Sequence, residues 1–149
     1  MIPKNVLPPT YLFVAIVMMV ILHFLFPLAK IFPFPWNFLG LLPFVAGCVL
    51  NTSADRAFKT FGIPIKPFQK STMLMTDGVF RLTRNPMYVG FVLILLGIAI
   101  FEGSLTPYII VMVFPILMDR IFIRVEERML EETFGEAWLE YKKKVRRWI

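Results

Sequence analysis

Residues 10–29 read TYLFVAIVMMVILHFLFPLA, an apolar run broken by one His and closed near its end by a proline. About 20 such residues are what a helix needs to cross the hydrocarbon of a bilayer. The core helix of a soluble domain is the other reading of such a run, and composition argues against it. Of 149 residues, 58% are hydrophobic and 16 are Phe, with a mean hydropathy of +0.71. A soluble domain this small leaves too much of its surface in water to hide that much apolar area. No small-residue cleavage site follows the run, so it is expected to be a retained helix and not a removed leader.

Outward from this helix, further apolar runs are expected to span at 36–53, 86–101 and 105–118. The second holds Gly40, Pro43 and Gly47. Small residues of this kind let membrane helices approach closely, and neighbouring helices satisfy the backbone that proline frees. Trp36 follows a Pro-punctuated turn beginning at Lys30 and suits an interfacial anchor. Glu102-Gly103-Ser104 reads as a tight hairpin. The expected fold is all-α: one membrane-embedded domain over 1–149, with about four transmembrane helices and amphipathic helices at 119–149.

The net charge is +6, with a pI near 9.7. The basic residues flank apolar runs and are not interleaved with exposed aromatics, which points to a membrane and not to nucleic acid. Between Asp55 and Asn85 stand Arg56, Lys59, Lys66, Lys70, Arg81 and Arg84, against Asp55 and Asp77 alone. Turn signals at Gly62-Ile63-Pro64 and Asp77-Gly78 divide this connection. The C-terminal tail is equally basic, whereas the hairpin carries no Lys or Arg. The positive-inside rule then places connection, tail and both termini on the cytoplasmic side. Cys48 stands alone, so no internal disulfide forms, and with only His23 beside it no Cys/His metal cluster is expected. His23 reads as a structural helix contact.

Two polar segments carry the candidate chemistry. In Arg84-Asn85-Pro86-Met87-Tyr88-Val89-Gly90, Asn85 suits an N-cap and Pro86 a first helical residue. The amides of that first turn, with Arg84 beside them, make a ready anion site. Gly90 would let a flat ligand or another helix approach the backbone, and Tyr88 offers a hydroxyl. A merely well-capped helix is the plainer reading. In the second segment, Arg120, Arg124, Glu127, Arg128 and Glu131 recur three or four apart on one helical face. They form either a solvated interfacial face or the lining of a cavity. Phe122, Val125 and Met129 make the apolar stripe, and Gly135 suits a helix stop. Beyond it, Trp138, Tyr141, Val145 and Trp148 share a stripe ringed by Lys142, Lys143, Lys144, Arg146 and Arg147. Docking on an anionic membrane surface is the expected role, with a lid over a site as the alternative.

The run from Thr76 to Gly90, followed by Glu126-Glu127-Arg128-Met129-Leu130, Phe134-Gly135, Tyr141 and the Val145-Arg146-Arg147-Trp148-Ile149 ending, resembles the isoprenylcysteine carboxyl methyltransferase and phospholipid methyltransferase superfamily. The resemblance covers Thr72 to Ile149, with both motifs in order. It implies a membrane enzyme that binds S-adenosylmethionine without a Rossmann fold and takes a lipidic or prenylated substrate from the bilayer. It also implies cofactor contacts from Asn85, Pro86, Tyr88, Gly90, Glu126 and Glu127, with Arg84 steadying an anionic substrate group. Asn85 stands where the well-characterised carboxyl methyltransferases carry His, and Asn cannot titrate near neutral pH.

Methyl transfer from a sulfonium is an in-line displacement that needs positioning and exclusion of water more than acid–base groups. A carboxylate nucleophile needs no base. An amine must lose a proton, and Glu127 is the expected acceptor. Carboxyl O-methylation of an isoprenylcysteine-like substrate is the leading expectation, and N-methylation of a phospholipid amine is the alternative. A nicotinamide-dependent membrane reductase of related architecture is a rival of another class, disfavoured by the paired glutamates. A scaffold or transporter fragment is a further rival, disfavoured by the lack of polar residues at mid-membrane other than His23.

Overall fold

Prolines decide where several helices start and stop. The structure, a computed structural model, describes residues 7–63 and 71–149; Pro64, Lys66 and Lys70 of the connection lie outside the described residues. Helix α1 (Pro8–Leu25) opens on two prolines whose missing amides would have had no intrahelical partner. It stops short of Ala29 because Pro27 pushes Phe26 out of helical geometry, to φ −136° and ψ 63°. A single 3₁₀ turn, Trp36–Gly40, runs into α2 (Leu41–Thr60). This helix continues well past the expected limit at Ser53, because its polar residues bond within the helix. Thr52 Oγ1 donates to the Cys48 carbonyl at 2.7 Å, and Lys59 pairs with Asp55 at 2.6 Å.

Helix α3 (Pro86–Glu102) ends at Gly103, whose φ of +77° a side chain would resist. Helix α4 (Tyr108–Met118) contains Pro115, passes through a π-helical turn at Asp119–Ile123 and continues as α5 (Arg124–Phe134). Gly135 then breaks the chain before α6 (Glu136–Lys144).

Two stretches, Pro8–Leu25 and Trp36–Thr60, are long and apolar enough to cross a membrane. Their outward side chains are bare: Phe13 is 67% exposed, Phe24 75% and Leu42 70%. A helix in the core of a soluble protein would bury such groups, so the chain is membrane-associated. The expected third and fourth spans are helical but short, 17 residues for α3 and 11 for α4. Length alone therefore supports two crossing helices and not the four expected.

The tightest packing lies between α2 and α3, which run antiparallel. Gly40 and Gly47 on α2 face Gly97 and Gly90 on α3, each pair about two helical turns apart. A Cβ on Gly97 would fall 2.6 Å from the Gly40 carbonyl oxygen, and one on Gly47 2.5 Å from that of Gly90. Only glycine permits such backbone approach. The main core joins α1, α3 and α4 through Met19, Leu95, Met118 and Phe122, all at 0% exposure.

One end of the bundle is closed by its short loops. Ile31 N–H donates to Gly103 O at 2.8 Å and Leu105 N–H to Ala29 O at 3.1 Å. His23 Nδ1 and Ser104 Oγ share a hydrogen bond of 2.8 Å, the structural role expected for this histidine. The other end, where α5, α6 and the 55–85 connection meet, stays open.

Candidate active site

At that open end lies a cavity of about 350 Å³, within the range of small-ligand sites. One side is apolar, made by Leu7 ahead of α1, Pro8 and Pro9 at its start, Phe58 of α2, and Met73 and Met75 of the connection. The other side is built from the first turn of α3, the first turn of α5, and α6. Because α3 begins at Pro86, its first turn sets Pro86, Met87 and Tyr88 on the wall.

The polar wall holds two carboxylates in different states. Glu127 is 6% exposed, and both of its oxygens are taken. Arg84 Nε donates to Oε1 at 3.0 Å, and Arg147 Nη2 donates to Oε2 at 2.6 Å. Arg147 also reaches Asp119 Oδ1 at 3.0 Å. Asp119 in turn accepts from Arg124 Nε at 2.8 Å. That contact spans five residues, a spacing that a π-helical turn brings onto one side and an α-helix does not. Hydrogen bonding to Glu127 raises the Arg147 pKa, more than its partial burial lowers it. Arg84 is sealed further, donating to the carbonyls of Lys142 and Val145 at 3.1 Å each and lying 5.6 Å above the Trp138 ring.

Glu126 instead meets a neutral partner, the Tyr88 hydroxyl, which donates to it at 3.1 Å. Burial pushes the Glu126 carboxyl up to about 7, and the Tyr88 hydrogen bond only partly opposes this. Tyr88 is held in turn by stacking on Phe122, with ring centroids 6.3 Å apart. Trp138 (1% exposed) and Tyr141 (6%) close the wall from α6. The Tyr141 hydroxyl donates to the Phe80 carbonyl at 2.6 Å, and burial raises it to about 12 while Arg84 pulls the other way. Among the described residues, the buried Trp138 Nε1–H has no hydrogen-bond partner.

Over residues 36–137, more than half of the chain, the sequence matches the family described as phospholipid methyltransferase. The chain belongs to the phospholipid methyltransferase family. It is 34% identical over 132 residues to a Saccharomyces cerevisiae protein-S-isoprenylcysteine O-methyltransferase, covering 82% of this chain and 54% of that protein. An Arabidopsis thaliana protein-S-isoprenylcysteine O-methyltransferase A is 31% identical over 111 residues, covering 71% of this chain and 55% of its own. The Schizosaccharomyces pombe protein-S-isoprenylcysteine O-methyltransferase is 33% identical over 79 residues, 51% of this chain and 32% of that protein. The chain thus spans between a third and somewhat over half of the length of these relatives.

The family's two motifs, far apart in sequence, converge on one cavity, but their residues do not all behave as the sequence implies. Pro86, Tyr88 and Glu126, the residues expected to contact the cofactor, line the cavity. Asn85 also lines it but does not cap α3: its Nδ2 donates to the Arg147 carbonyl at 3.1 Å, so the side chain anchors the C-terminal tail. Gly90 faces α2, where an added Cβ would strike the Asn51 side chain, so it admits a helix and not a ligand. Arg84, expected to steady an anion, is already neutralised by Glu127. Glu127, expected as a proton acceptor, has no free oxygen. The aromatic stripe expected on α6 divides: Trp138 and Tyr141 face inward over the cavity, the arrangement of the lid alternative, and Val145 and Trp148 fall beyond the helix end at Lys144.

Phe58, Met73 and Met75 were not read as site residues, and no local pattern marks them. Trp138 and Tyr141 were visible as an aromatic stripe with a lid as its alternative role, and Tyr141 and Arg147 belong to the stretches that carry the family resemblance, but neither signal assigned them to the site.

Proposed function

We propose that this chain is a single membrane-embedded domain that catalyses S-adenosylmethionine-dependent methyl transfer to a lipidic or prenylated substrate, with carboxyl O-methylation of an isoprenylcysteine-like group the leading reading. The observation that carries it is the cavity itself: one wall is apolar, the other presents the half-buried Glu126 hydrogen-bonded to the buried Tyr88, and both segments that carry the resemblance meet there. The names of the three relatives point to the prenylcysteine carboxylate.

The residues present fit such a cofactor. Glu126 can accept hydrogen bonds from ribose hydroxyls or an ammonium group, and the unpartnered Trp138 Nε1–H can donate one. Bound there, S-adenosylmethionine would supply a methyl group on a sulfonium centre. Tyr88 and Phe122 hold Glu126 in place, the ion network fixes the α3 and α5 termini, and the methionine-rich wall excludes water from the reacting groups. Arg84 lacks a free charge, so a substrate carboxylate would be positioned by backbone amides and shape.

N-methylation of an amine is the second reading, and Glu126 favours it. A carboxyl group near 7 can take the proton that an amine must lose. This moves the acceptor role from Glu127 to Glu126. A phosphorylated dinucleotide would meet no free arginine on this wall, so hydride transfer is disfavoured.

We also propose four crossings with both termini cytoplasmic. The support is the clustering of Lys and Arg at the open end and their near absence at the hairpin. Purified protein in detergent should bind S-adenosylhomocysteine by titration calorimetry; no heat at millimolar ligand overturns the cofactor reading. Membranes given labelled S-adenosylmethionine with either a prenylcysteine or phosphatidylethanolamine separate the two substrate readings by which product carries the label.

A further inference from the structure

Where α4 runs on into α5, the character of its outer face changes abruptly. On α4 that face is bare and apolar, with Met112 71% exposed, Val113 51% and Ile116 61%. Four residues after Ile116 comes Arg120, then Arg124, then Arg128, all exposed. A spacing of four keeps successive side chains near one line along the helix. On the four-crossing arrangement proposed above, the bare apolar side of α4 continues into a ladder of arginines where hydrocarbon would give way to headgroups.

The ladder borders a groove between α5 and the tail, distinct from the cavity described above. Arg124, Arg128, Lys142 and Arg147 line it together with Glu127 and Glu131. Its acids are largely spent. Glu127 is divided between Arg84 and Arg147, Asp119 between Arg124 and Arg147, and Glu131 lies 3.5 Å from Lys142. Arg120 and Arg128 form no ion pair among the described residues. Two uncommitted guanidiniums thus flank a groove at the foot of a lipid-facing helix. Guanidinium is suited to bidentate hydrogen bonding of phosphate oxygens.

We propose that this face binds the phosphodiester headgroup of an anionic phospholipid, with Arg120 and Arg128 as its principal contacts and the acyl chains lying along α4. This role is independent of methyl transfer: the groove shares Glu127 and its partner Arg147 with the polar wall of the candidate active site, but the two contact residues, Arg120 and Arg128, do not line that cavity. It also relocates the anionic-membrane contact from α6, whose aromatic side chains face inward, to the α4–α5 junction.

The test uses the full chain in detergent, followed by native mass spectrometry and thermal unfolding, with phosphatidylglycerol, phosphatidylcholine of the same chains, or inorganic phosphate as probes. Phosphatidylglycerol is expected to be retained and stabilising, and phosphatidylcholine much less so. The Arg120→Gln/Arg128→Gln variant should bind phosphatidylglycerol about tenfold more weakly or worse, with S-adenosylhomocysteine binding unchanged. The Lys143→Gln/Lys144→Gln variant, which removes the same charge from α6, should bind like the parent. Equal losses in the two variants would reduce the effect to net charge and overturn the proposal. So would equal retention of both lipids, or stabilisation by inorganic phosphate as strong as that by phosphatidylglycerol.

Discussion

The two ends of the helical bundle are closed by different kinds of interaction. At the hairpin end, short loops meet through backbone hydrogen bonds and one side-chain pair: Ile31 to Gly103, Leu105 to Ala29, His23 to Ser104. Packing there is continuous with the glycine-lined α2–α3 contact. At the open end, Arg84, Glu127, Arg147 and Asp119 join segments that are distant in sequence. Charges need room, geometry and desolvation to pair, so this end remains hollow beside them. One end is fixed by close backbone approach and supports the structure; the other is fixed by ion pairs and leaves space for chemistry.

The largest break is expected at the ion-paired end. Arg84→Met should leave Glu127 buried with half its neutralisation gone, at a cost of about 4 kcal/mol, and should abolish S-adenosylhomocysteine binding. Thermal unfolding and calorimetry read both. At the glycine contact, Gly47→Leu drives a side chain into the Gly90 carbonyl, and about 3 kcal/mol of stability should be lost in detergent unfolding. If Arg84→Met proves the milder change, the polar end is less dependent on its ion pairs than its geometry implies.

Arg147→Ala should sharpen the contrast. Arg147 is about one-third exposed, so its loss should cost about 2 kcal/mol and weaken ligand binding at least about tenfold, whereas changes at the hairpin should leave affinity untouched. His23→Ala, which frees only the Ser104 hydroxyl, should cost about 1 kcal/mol with no effect on binding.

A pH dependence is expected as well. The Glu126 carboxyl lies at about 7 against an ordinary 4.5. Its contribution to stability is therefore fully present below about 4.5 and is lost as pH rises through about 7. A positively charged ligand should bind more tightly above that point, once the carboxylate is free. Glu126→Gln should flatten both trends, measured as unfolding temperature and S-adenosylmethionine affinity at pH 5.5 and pH 8. Unaltered slopes in this variant would assign the titration to another group.

Much of the architecture was legible in the sequence because it depends on local rules. Apolar length marked α1, although Pro27 ends it before the expected limit at Ala29; Pro86 and Gly103 bounded α3, Gly135 marked the end of α5, and Gly40 and Gly47 signalled close helix approach. The limits of α2 and α4 were misread where helix continuation depended on hydrogen bonds and not on hydropathy. Thr52 and Lys59 extend α2, and the tethering of Thr106 to the Phe26 carbonyl delays the start of α4.

The site divides along the same line. Residue type and order alone carried the resemblance of Arg84–Tyr88 and Glu126–Glu127 to the family, because such a likeness depends on sequence and not on contacts. What each does was decided only by tertiary contacts. Two adjacent glutamates have nearly the same local environment in sequence, yet one is turned toward two arginines and the other toward a tyrosine hydroxyl. The π-helical turn after Pro115 sets the rotation of α5, and the C-terminal tail delivers Arg147. Neither effect is local, because each depends on which side chains the folded chain brings within about 3 Å of a carboxylate.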